Sequence, residues 1–211
     1  MEDQQGRVPY EYALKEFLKQ EIGEVCERLN VRYDPEKKAL KLKMMGQKYY
    51  IHEKTGEVKN EQDELISSYI LRILILRYLV HGSGEKATGK MISYKEIPDG
   101  PIYYPNFKSR TIDALAQAFD QDKHLFQRAN DRLNHLLTDN GDGSIEFEFI
   151  NDVFMVFVAW ESDEEFEASA NILFSSNTPG YFNAEDLAVV GDVALSYFKN
   201  GGLLKEDIGM Y

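Results

Sequence analysis

The chain is short of cysteine, of positive charge and of long apolar runs, and each shortage removes a class of function. Cys26 is the one cysteine in 211 residues. A single thiol builds no internal disulfide, no four-thiolate zinc site and no iron–sulfur cluster. Its neighbours Val25 and Leu29 read as one face of a helix, where cysteine behaves as a small hydrophobe. Lys and Arg number 24 against 36 Asp and Glu, a formal net charge of −12. Such a surface repels a phosphate backbone unless a local basic stripe overrides it. The densest basic stretch, Lys37 to Lys48, alternates lysine with apolar residues like the wet face of a strand pair. No nucleic-acid role is therefore expected. The longest apolar stretch, Tyr69 to Val80, contains Arg72 and Arg77 and is too short to cross a bilayer. Met1 to Arg7 is polar and lacks the apolar segment of a signal peptide. These features predict a reducing, cytoplasmic home and no membrane partner.

What is present is ordinary globular material. Hydrophobic residues make up 43% and charged residues 28%, too apolar for wholesale disorder. The length fits one domain, residues 1–211, with a real core. Leu14, Phe17, Leu18, Ile22, Val25 and Leu29 keep a helical period, predicting one helix from Tyr10 to Leu29 that Asn30 ends. The period then changes to two across Ala39–Met44 and Lys48–His52, with a turn at Gly46-Gln47: a small antiparallel meander. Asn60 with Asp63 offers a helix start, and Glu61 to Val80 is apolar nearly all round, as a central helix is. Met91–Ile97 reads as a strand, and Asn106–Leu137 as helical with a break near Asp120-Gln121-Asp122. Ile145–Phe149 alternates, Asn151-Asp152 turns, and Val153–Trp160 is apolar on both faces, as in the middle of a covered sheet. Ala170–Phe174 is a further strand, Glu185–Phe198 a final helix, and Gly201-Gly202 a loosely held tail. The fold class expected is α+β: a central antiparallel sheet flanked by helices, with a small N-terminal helix and β-meander.

Two motifs imitate chemistry. Gly84–Lys90 has the spacing of a phosphate-binding P-loop, but a helix precedes it, a strand follows, and Met91 stands where a magnesium-binding hydroxyl is needed. Thr138–Ile145 resembles the middle of an EF-hand calcium loop, yet Thr138 and Phe149 replace the two end ligands. A helix-to-strand turn explains the same letters. His52, His81, His124 and His135 fall on separate elements without metal spacing, and neither a metal nor another cofactor is expected.

Two segments remain as candidate sites. In Trp160–Phe166 the carboxylates Glu161, Asp163, Glu164 and Glu165 gather at the end of a central strand, where crowding raises pKa values and makes general acids. Ser162 and Glu165 equally have capping-box spacing and can start a short helix. In Ile102–Arg110, Tyr103 and Tyr104 stand beside Pro105, with Lys108 and Arg110 in the first turns of a helix, suited to an anion or aromatic ligand. An ion pair from Arg110 to Asp163 or Glu164 would account for both segments without a ligand.

Several separated segments together carry a resemblance. Leu76-Arg77-Tyr78-Leu79, Gly89 to Pro98, Tyr103-Tyr104 with Phe107 and Arg110, Trp160 to Phe166, Leu173-Phe174 and Glu185-Asp186-Leu187-Ala188 occur in this order. The pattern over residues 60–198 resembles the uncharacterised prokaryotic family called domain of unknown function 3786. The resemblance implies an anaerobic setting near corrinoid and iron–sulfur one-carbon metabolism. It also implies relatives with a Cys-rich iron–sulfur module, which this chain lacks. The expectation is a non-redox accessory or ligand-binding protein with a pocket between Tyr103, Tyr104, Arg110 and Trp160–Glu165, and a corrinoid or iron–sulfur pathway protein as partner. A hydrolase or transferase using a carboxylate of Trp160–Phe166 and an acidic interaction scaffold are the alternatives, with oligomeric state left open.

Overall fold

The computed structural model describes residues 4–205 and Ile208; the reading of Met1–Arg7 falls partly outside them. Two helices, α1 (Gln4–Phe17) and α2 (Ile22–Leu29), replace the single one expected. The break leaves Leu18 exposed while Phe17, Val25 and Leu29 are buried, so two separate apolar faces outweighed one continuous period. Asn30 closes α2 in the left-handed region, with φ 51° and ψ 38°, which asparagine tolerates.

The meander follows as β1 (Arg32–Asp34), β2 (Ala39–Met44), β3 (Gln47–His52) and β4 (Val58–Lys59). Met45 and Gly46 both take positive φ, 48° and 76°, the geometry of a tight two-residue hairpin. The central helix α3 (Tyr69–His81) starts later than predicted, capped by the Ser68 hydroxyl, which accepts the Leu71 N–H at 3.3 Å. Asn60 instead accepts the N–H groups of Gln62 and Glu64 in a local turn, the usual competition between short polar side chains and helix.

β5 (Met91–Ser93) is shorter than expected and runs into a single 3₁₀ turn, Tyr94–Glu96, whose Glu96 carboxylate accepts the Ser93 N–H at 2.7 Å. α4 (Gly100–Phe107) passes through a π-helical segment, Lys108–Ile112, into α5 (Asp113–Gln121). The predicted helix through Leu133 and Leu137 is overturned. A 3₁₀ turn at Leu125–Arg128 is followed by β6 (His135–Thr138), where Leu137 faces Ile145 across the ladder. An available strand edge satisfied that backbone and overrode the local period.

β7 (Gly143–Ile150), β8 (Val153–Trp160) and β9 (Ser169–Ser175) form the middle of the sheet, and α6 (Ala184–Lys199) closes the core. Among the described residues the strands make one nine-stranded antiparallel sheet in the order β4-β3-β2-β7-β8-β9-β5, with β1 on β2 and β6 on β7. Val153, Met155, Phe157 and Ala159 are wholly buried on one face of β8, and Val156 and Val158 keep 7% exposure on the other. Phe147, Phe157 and Phe198 interlock with centroid separations of 5.1–5.7 Å, fastening α6 to the sheet. The Gly201–Gly202 tail is tied down after all. The Gly202 N–H reaches the Tyr197 carbonyl at 3.0 Å, and its own carbonyl accepts from Asn130 at 2.7 Å.

Candidate functional site

The structure gives the segments singled out by sequence separate partners. Trp160 ends β8 opposite Ser169 and is 41% exposed, against the turn at Gly141. No helix begins at Ser162. The Asp163 carboxylate accepts the N–H groups of Glu165 at 2.8 Å and Phe166 at 2.7 Å, closing a local turn. Asp163 thus spends its side chain on the backbone at once, before a helix can use it. Glu161 pairs with Lys123, and Asp120 accepts from both the N–H and the hydroxyl of Ser162. Those two bonds hold the Asp120 carboxyl below its usual range.

Arg110 does not reach Asp163 or Glu164. It pairs with Asp192 of α6, which also accepts from the Thr111 hydroxyl, because the π segment packs on α6. Lys108 and Arg110 lie mid-helix rather than in first turns, and Lys108 pairs with Asp113. Tyr103 is 38% exposed on α4, and the Lys95 ammonium sits 4.1 Å over the Tyr104 ring.

The calcium-like segment is the β6–β7 hairpin, strand to strand rather than helix to strand, with Thr138 opposite Ser144. Asp142 accepts the Glu161 N–H, so that carboxylate is occupied by the turn. Among the described residues no group of three or more His, Cys, Asp or Glu could hold a metal ion. The P-loop-like segment follows α3 and precedes β5. Its Glu85 carbonyl points inward to the Asn177 amide and the Tyr181 hydroxyl, and Lys86 pairs with Asp152.

Sequence reasoning missed a cleft of about 450 Å³ where the end of α3 meets the start of α6. Its lining includes Tyr12, Arg77, His81, Ile97, Pro98, Asp99, Phe182, Asn183 and Asp186. Arg77 and His81 are four residues apart on α3 and share one helix face. Asp186 is 4% exposed at the third position of α6, where Asn183 caps its N–H at 2.8 Å and the helix dipole favours a negative charge. It is the ion-pair partner of Arg77.

Each wall is held by its own contacts. Arg28 of α2 donates to the carbonyls of Leu79, Val80 and Gly82, satisfying the last turn of α3. The Ser83 N–H meets the Gly180 carbonyl at 2.8 Å, and Tyr181 stacks on Tyr78 at 5.3 Å. Burial raises the Tyr181 phenol to about 12, with Asp152 and Glu85 adding to the effect. On the far wall the Tyr94 hydroxyl donates to the Ala184 carbonyl, fixing the Ile97–Asp99 loop against α6. Gly100 is required there, since a Cβ would lie 1.9 Å from the Tyr94 carbonyl oxygen. His81 stands at the exposed rim. Partial desolvation, then Arg77, lowers its pKa below the usual value, so it is neutral at pH 7.

Some of the segments that carry the sequence resemblance meet in two places. Tyr94, Phe107 and Phe174 form a buried aromatic triad, with Tyr94 and Phe107 stacked at 4.1 Å. Ile97 and Pro98, from the same segment as Tyr94, meet Arg77 and Asp186, from two others, in the cleft. Their shared place in resemblance-bearing segments was the one signal in the sequence that pointed toward it.

The molecule is a mixed α+β protein with a polar-and-aromatic cleft at a helix–helix junction. The chain belongs to the family described as Domain of unknown function (DUF3786), whose match covers residues 21–197. The match begins within the N-terminal helical region and takes in the meander, well before residue 60. Comparisons with curated proteins and with solved structures return no match.

Proposed function

We propose that the protein binds a small molecule, without redox chemistry of its own, in the cleft between Arg77, His81, Asp99, Phe182 and Asp186. The observation that carries this reading is a buried carboxylate, Asp186, orienting a half-buried guanidinium, Arg77, inside a cleft of ligand size. Ligand sites are commonly concave and largely apolar, with a few convergent polar groups, and roughly 300–1,000 Å³ in volume. The cleft fits that description, with Ile97, Pro98 and Phe182 as its apolar wall.

The test is chemical-shift mapping with a library of small organic compounds. Perturbations should gather on Tyr12, His81, Ile97 and Phe182. Perturbations gathered on Trp160–Phe166 would favour the rival reading, a hydrolase or transferase with a carboxylate acid–base there, and perturbations shared by Tyr103, Tyr104, Arg110 and Trp160–Glu165 would favour a pocket between those segments. That rival has weaker support, because Asp163 and Glu161 are committed to local partners. An accessory role near corrinoid or iron–sulfur one-carbon enzymes is what the sequence resemblance implies, and pull-down from an anaerobe's extract tests it. The exposed Trp160 and Phe166 beside carboxylates support the interaction-scaffold alternative, which predicts salt-sensitive capture in the same experiment.

A further inference from the structure

We infer that the cleft selects a small organic anion, a carboxylate carried on an apolar body, with Arg77 as the group that receives the charge. This inference rests on the cleft being a ligand site. Arg77 lines the cleft and makes its one side-chain hydrogen bond among the described residues through Nη1, to Asp186. Its Nε and Nη2 have no acceptor among the described residues, and the side chain is only 25% exposed. A guanidinium presents its N–H groups as a planar fork that matches a carboxylate with two parallel bonds. Asp186 therefore holds the fork through one nitrogen and leaves its other donors available to a ligand in the cleft that Arg77 lines.

The surroundings agree with that chemistry. Asn183 and Asp186 belong to the start of α6, so the positive end of a 16-residue helix faces the same space. Neutral His81, one turn along α3, supplies a ring N–H in one tautomer. Tyr12 and Pro98, both exposed in the lining, offer apolar contact to the rest of the ligand. Asp99 is the opposing feature: an exposed carboxylate on the rim that does not cap its own helix. It repels an anion, and it supplies a control.

The experiment titrates the whole chain with benzoate, benzamide and benzylamine, three probes of one shape and different charge. The readouts are the Arg77 Nε–H and His81 ring signals. Benzoate should shift both saturably and bind more tightly than benzamide or benzylamine. Arg77→Gln should weaken benzoate by about tenfold or more, the usual consequence of losing a charge-assisted pair. Should Arg77→Gln fail to fold, Arg77→Lys keeps the charge beside Asp186 but not the fork, and should still weaken benzoate. Asp99→Asn should strengthen it. Equal binding of benzamide or benzylamine at these signals overturns the anion while leaving the ligand site standing. If no probe moves them, both readings fall. Benzoate affinity unchanged in the arginine variants assigns the selectivity elsewhere and also overturns the proposal.

Discussion

At the residue scale the Arg77–Asp186 pair dominates the cleft. Removing the carboxylate leaves a half-buried guanidinium without its acceptor, and bonds to charged groups are worth about 1.5–3 kcal/mol. Asp186→Ala should therefore lower unfolding stability by roughly 1.5–3 kcal/mol in urea denaturation. An unchanged midpoint would mean that the pair is solvated and contributes nothing. His81 gives a pH prediction. Its folded pKa is lowered by partial desolvation and by Arg77, so the unfolded chain binds the proton more readily. The stability it contributes is fully present above the ordinary histidine value of about 6.5 and is lost as pH falls through the folded value. Glu16 opposes the shift and Arg28 adds to it, which makes the net direction measurable rather than assumed. An NMR titration should place the His81 midpoint below about 6.5, and His81→Gln should flatten the stability profile on the acid side of that value. Neither behaviour was legible in the sequence, where His81 is one of four scattered histidines.

At the scale of elements, glycine placement separates shape from chemistry in the P-loop-like segment. Gly84 has φ 78°, and a Cβ would lie 1.9 Å from the Arg28 carbonyl oxygen; Gly89 has φ 80° and open space around it. Gly84→Ala should cost clearly more stability than Gly89→Ala, whose left-handed backbone alone costs about 1–2 kcal/mol. Thermal unfolding of the two variants compares them directly, and equal losses would show that the approach to Arg28 relaxes freely. The contrast also explains why the motif imitates a phosphate loop. Its glycines serve a close packing and a turn, while its Glu85 carbonyl faces inward to Asn177 and Tyr181. Other elements were readable to the extent that their pattern was strong. β7 and β8 alternate or run apolar within sharp turn signals and appear as expected. β6 was read as helix because Leu133 and Leu137 keep a helical spacing, and only its pairing with β7 decided otherwise.

At the scale of the molecule, the sheet has a thick half and a thin seam. β7, β8 and β9 pair along most of their length, with Phe147, Phe157 and Phe198 beneath them. The meander joins this half through one ladder pair, Met44 with Ile150, supported by the Met45 N–H to the Phe149 carbonyl and the Lys43 N–H to Asn151. Phe198→Ala should cost about 3–5 kcal/mol, as large aromatic truncations in a packed core do. Native-state hydrogen exchange should show β1 to β4 opening at lower free energy than β7 to β9, since local opening follows the density of contacts. Uniform protection across the sheet would mean that helix packing, rather than the seam, governs the meander.

The sequence by itself determined the α+β class, the meander and the central hairpin. These follow from composition and from short-range periods, which depend on neighbours along the chain. Tertiary structure alone decided that Arg110 meets Asp192, that Asp163 closes a local turn, and that Arg77 meets Asp186 across 109 positions of sequence. Long charged side chains reach many partners, and the choice among them belongs to the packing of whole helices, here α3 against α6. The cleft exists because those two helices converge, and nothing in either segment alone announces it.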